Sequence, residues 1–130
     1  MKKTFLMALI SVFIAVASQA QKVHVLYFKA NLACCAAKAC ANLEGQVKSV
    51  VEKNFKSTDV AFKTVMLSDS ANTALVNKYN AKSQTVVILQ NKKKNAQSKD
   101  VSELVKEFSR SKDEAVFEKE MIAAIKELLK

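Results

Sequence analysis

The hydrophobic pattern changes its period several times along the chain. Residues 22–28 (KVHVLYF) are nearly continuous in apolar character and rich in β-branched and aromatic side chains, which predicts a strand buried on both faces. Further on, Leu43, Val47, Val50, Val51 and Phe55 recur at helical steps and mark one face of a helix. Residues 60–66 (VAFKTVM) and 85–89 (TVVIL) read as two more strands. Between them, Ser68-Asp69-Ser70 supplies N-caps for a short helix that carries Ala71, Leu75 and Tyr79.

Residues 90–95 form a polar turn leading to a weak edge strand near 96–99. Two capping-box patterns follow. Asp100-x-x-Glu103 precedes Leu104, Val105 and Phe108; Ser111-x-x-Glu114 precedes Phe117, Met121, Ala124, Ile125 and Leu128. The predicted order is a strand–helix–strand unit, a short helix, a hairpin and two C-terminal helices. That is the thioredoxin-like arrangement: a three-layer α/β fold with a mixed sheet of about four strands and helices on both faces.

Composition supports long helices. There is no proline and one glycine, Gly45, whereas a small all-β fold needs both residues in its turns. Gly45 sits inside the first helix pattern at a cost of about 1 kcal/mol relative to alanine, which close packing against a neighbour would explain.

Residues 1–20 read as a signal peptide. Lys2 and Lys3 precede an apolar run at residues 5–17, and Ser18-Gln19-Ala20 places small residues at the two positions that matter for cleavage before Gln21. The run is shorter than the roughly 20 residues of a bilayer span. No cysteine follows the cut at once, as a lipoprotein anchor requires; an uncleaved N-terminal anchor is the alternative. The expected products are a thioredoxin-like domain at residues 21–130 and a periplasmic or secreted location. Removing Lys2 and Lys3 lowers the formal charge of +9 by two. An exported chain with dispersed lysines points to a solvated basic surface with weak attraction to anionic membranes, and away from nucleic acid.

All three cysteines lie in NLACCAAKAC, residues 31–40, between the first strand and its helix. Two backbone shapes compete there. Alanine is the best helix former and Asn31 a suitable N-cap, so the segment can be helical. Cys35 and Cys40 would then lie about 140° apart around the axis, with no bridge between them, and the thiols would be small packing residues. If residues 36–39 instead form a loop, Cys35 attacks a disulfide, Cys40 resolves the mixed intermediate, Cys34 assists and Lys38 favours the thiolate. A vicinal Cys34–Cys35 bridge and a soft-metal or arsenic(III) thiolate site are further options.

The stretches VHVLYF, CANLE, VAFKTVML, LVNKYN, TVVIL, KDVSELVKEFSRS and KEMIAAIKELLK cover almost the whole of residues 21–130. Together they resemble the small exported thioredoxin-like proteins of the ArsF (nitrophenyl-compound nitroreductase subunit) family. The resemblance implies a redox context, with protein thiols or disulfides, or a redox partner protein, as the counterpart. In such proteins the turn carries Cys-x-x-Cys. Taking CANLE as the family's helix start puts Cys40 on the second cysteine and Ala37 on the first, leaving Cys35 or Cys34 as a displaced partner. Redox-active thioredoxins also place a cis-proline before the third strand, where this chain has Lys82-Ser83-Gln84-Thr85.

No flavin or other cofactor is expected, because a chain with one glycine has no glycine-rich phosphate loop. Zinc would want a fourth ligand, and the only histidine, His24, falls in a strand, where a structural role suits it. Tyr27, Phe28 and Tyr79 read as core or pocket walls.

Overall fold

In the computed structural model, residues 21–31 and 34–130 are described, the side chains of residues 34–37 excepted; the expected signal peptide lies outside them. Strand β1 (Val23–Lys29) is buried on both faces, as its apolar run requires. Helix α1 (Cys34–Asn54) leads from it to β2 (Val60–Met66). A 3-10 turn (Ser70–Asn72) and α2 (Thr73–Lys78) precede β3 (Val86–Gln90) and the short β4 (Ser98–Asp100). Helices α3 (Ser102–Ser111) and α4 (Glu114–Leu128) complete the chain.

The fold is α/β, a four-stranded mixed sheet in the order β2-β1-β3-β4. β1 and β2 are parallel, with Val23 opposite Val60, because α1 carries the chain back across the sheet. β3 runs antiparallel to β1, with Val23 opposite Gln90, and β4 antiparallel to β3.

Alternation along β1 divides the core into two layers. Val23, Val25 and Tyr27 join Val86 and Ile88 against Val47 and Val51 of α1 and Met121 and Ile125 of α4. Leu26 and Phe28 join Val65 and Val87 on the opposite face, covered by Leu75, Val76 and Tyr79. Fully burying a side chain such as Ile88 or Phe28 contributes about 1.5–3 kcal/mol. Every buried hydrophobic residue described lies between Val23 and Leu128.

Phe108 stacks on Phe117 with ring centroids 4.3 Å apart, which locks α3 to α4. The buried Gln90 donates from Nε2 to the Leu128 carbonyl at 2.9 Å and accepts from the Gln97 amide at 3.0 Å. It thereby ties the end of α4 to the β3–β4 hairpin. Among the described residues, no helix is long and apolar enough to cross a membrane.

Three local expectations change. The Asp100 carboxylate accepts from the backbone and side chain of Ser102, and Val101 stands at the N-cap position of α3. Asp113, not Ser111, caps α4, accepting from the Val116 amide at 3.1 Å. Gly45 is exposed, and a Cβ built on it meets nothing within 4 Å, so close packing does not account for it.

Candidate functional site at the strand–helix junction

The chain leaves the C-terminal end of β1 at Lys29 and enters α1 at Cys34. Of the two shapes open to residues 36–39, the structure has the helix and not the loop: these residues belong to α1, which continues from Cys34 to Asn54. Ala36, Ala37 and Ala39 explain the outcome, because alanine loses the least in a helix. Residues 32 and 33, between Asn31 and the described start of α1, lie outside the described residues, and with them the expected N-cap. With Cys35 and Cys40 five apart on one helix, the proposed exchange between them requires the first turn of α1 to unwind. The side chains of Cys34 and Cys35 lie outside the described residues, as do the alternatives that depend on them.

Cys40 is a free thiol with no exposed surface. It faces Tyr27 of β1, whose hydroxyl donates to the Cys40 carbonyl at 3.1 Å and lies 3.3 Å from its sulfur. Burial, and next the bond to Cys40, push the Tyr27 phenol far above its ordinary value, so it stays protonated.

One helical turn beyond Cys40, Glu44 accepts from Lys29 of β1 at 2.8 Å and from the Thr64 hydroxyl of β2 at 2.5 Å. Burial alone would raise the Glu44 carboxyl. The bonds from Lys29 and Thr64 and the charges of Lys29 and Lys48 outweigh it and hold the group below the usual carboxylate value. The same hydrogen bond raises Lys29. Sequence reading missed this trio, because its members sit on three elements and no spacing links them.

His24 is half-buried in β1, and its Nε2 has no hydrogen-bond partner. Burial, then the Lys63 charge, lower its pKa below 6.5. It lies at the end of β1 remote from the cysteines and belongs to no metal cluster. Among the described residues no group of three His, Cys, Asp or Glu could hold a metal ion.

The segment before β3 has its own geometry. Gln84 adopts a left-handed backbone at φ 68°, and the described residues contain no cis peptide bond. That conformation costs a glutamine about 1–2 kcal/mol. It is held by reciprocal bonds to β1: the Gln84 amide donates to the Phe28 carbonyl at 2.9 Å, and the Phe28 amide donates to the Thr85 carbonyl at 2.8 Å.

Gln84 thereby borders a cleft of about 440 Å³ between α1 and the α3–α4 turn. Asn42 and Gln46 of α1 line one wall, Lys112 and Glu114 the other, and Leu43 and Phe108 contribute the apolar surface. Lys112 is also left-handed, at φ 59°, where it ends α3. Three carboxamides, each able to donate and to accept, thus border a half-apolar groove that Ala39, next to the buried thiol in sequence, also lines.

Compared with protein-family models, with curated proteins and with solved structures, the chain finds no match in any of the three.

Proposed function

We propose that residues 21–130 form an exported thioredoxin-like domain that acts as a non-catalytic polypeptide-binding module. The sheet order, with one parallel pair followed by an antiparallel hairpin, supports the thioredoxin-like assignment and agrees with the resemblance to the ArsF family. The observation that carries the functional reading is the state of Cys40. It stands in an unbroken helix, fully enclosed and bonded to Tyr27, and so it is not set up to meet a sulfur five residues earlier. An inaccessible thiol packs as a small hydrophobe. The carboxamide-lined cleft beside it supplies donors and acceptors that match the alternating groups of an extended backbone.

Insulin reduction with an ordinary reductant tests this reading. The module accelerates it no more than its Cys40→Ser variant does. Multiple turnovers that depend on Cys40 would overturn the proposal.

A second reading, thiol–disulfide exchange through Cys34 or Cys35, is favoured by one feature. Both fall in the first turn of α1, where free N–H groups favour a thiolate, and that turn holds no acidic residue to compete. There the thiolate attacks a substrate disulfide, forming a mixed disulfide and releasing the other sulfur as thiolate. Cys40 could resolve it only after local unwinding.

A further inference from the structure

The lysines are not spread evenly over the described surface. The end of the sheet opposite α1's first turn gathers the start of β1, the α1–β2 connection and the β3–β4 hairpin. Their closeness is fixed by hydrogen bonds. The Asn91 amide donates to the Lys22 carbonyl at 2.8 Å, and its side chain donates to the Gln21 carbonyl at 2.9 Å. The Lys22 amide donates to the Asp59 carbonyl at 2.9 Å, and the Asp59 amide to the Lys56 carbonyl at 2.9 Å. Lys22, Lys56, Lys92, Lys93 and Lys94 are all exposed here.

The only acid in these three stretches is Asp59, which lies 3.8 Å from Lys22. At the cysteine end charges are mixed, and Lys29, Lys106 and Arg110 each have a carboxylate within 4 Å.

We propose that this basic pole docks on an anionic phospholipid surface and holds the cleft and cysteine end away from it, towards soluble partners. Flexible ammonium groups on a hairpin tip reach headgroup phosphates without needing a shaped pocket. Several lysines on adjoining segments act together on a negatively charged bilayer. The pole offers little for reading nucleic acid: the hairpin stretch NKKKNAQ has no aromatic residue to stack on bases, and α1 ends here with its carbonyl pole.

The test is co-sedimentation of residues 21–130 with vesicles of phosphatidylcholine alone or with about 30 % phosphatidylglycerol, at low salt and at about 0.5 M salt. We expect binding to the anionic vesicles only, abolished by the high salt. Reversing Lys92, Lys93 and Lys94 to Glu should weaken it at least about tenfold, and reversing Lys63, Lys78 and Lys106 less than about threefold. No binding to anionic vesicles, equal losses from the two triple variants, or tighter binding to a single-stranded oligonucleotide than to the vesicles would each overturn the proposal. None of these lysines touches the cleft or Cys40, so failure here leaves the peptide-binding reading standing, and the converse holds.

Discussion

The Tyr27 hydroxyl joins the central strand to α1 at Cys40, meeting both the carbonyl and the sulfur of that residue from 13 positions away. A hydroxyl has one proton. With that proton on the carbonyl, the Tyr27 oxygen accepts from the Cys40 thiol, and both polar groups are satisfied without water. Replacing Tyr27 with Phe keeps the ring and removes the one side-chain partner the thiol has among the described residues. The expected loss is about 1–2 kcal/mol of stability, read as a lower urea midpoint at unchanged slope. An unchanged midpoint would mean that the hydroxyl is not buried against Cys40.

Glu44 is the point where α1, β1 and β2 share a charge. Its folded-state carboxyl lies below the ordinary value of 4.5, so the folded chain holds fewer protons there than the unfolded chain. The stability this supplies is fully present above that value and is lost as pH falls through the folded-state value. Glu44→Gln should therefore be less stable than wild type at neutral pH, by on the order of 1 kcal/mol. The gap should narrow in acid. Thermal melts of both proteins across the acid range check it.

His24 acts in a different window. Its folded-state value lies below 6.5, so as pH falls past 6.5 the unfolded chain takes up a proton before the folded chain does. Folding weakens over that interval and levels off below the folded value. His24→Gln should remove this loss, so the drop in Tm between about pH 7.5 and about pH 5.5 is smaller for the variant. Equal drops would show that His24 is solvated.

Gly45 is exposed, helical and free of close neighbours. Gly45→Ala should raise stability by about 1 kcal/mol, since alanine restricts the unfolded chain and a Cβ at this position clashes with nothing. A destabilised variant would indicate a contact with another molecule at this face of α1.

The strands were legible because their signals are local. VAFKTVM was expected over residues 60–66 and forms β2 over the same residues, while the β3 pattern was displaced by only one. The two-sided burial of β1 followed from its unbroken apolar run. The start of α1 was not settled, because alanine-rich sequence favours a helix while the Cys-x-x-Cys comparison favoured a loop. Local propensity prevailed over the motif. The partners of Cys40 and Glu44 were out of reach for another reason. Alternation says that Tyr27 shares a face with Val23 and Val25, but which helical residue crosses above it depends on packing between elements. The left-handed turn at Gln84 lacked the glycine that announces such a conformation.

The state of the Cys40 sulfur decides between an inert scaffold and a dithiol. Protein isolated from the periplasm of cells expressing the full chain is unfolded in alkylating reagent without reductant, and Cys40 is read by mass spectrometry. The account predicts that Cys40 carries the alkyl group, and that it resists labelling while the protein stays folded. Cys40 recovered in a disulfide with Cys35 or Cys34 would contradict it.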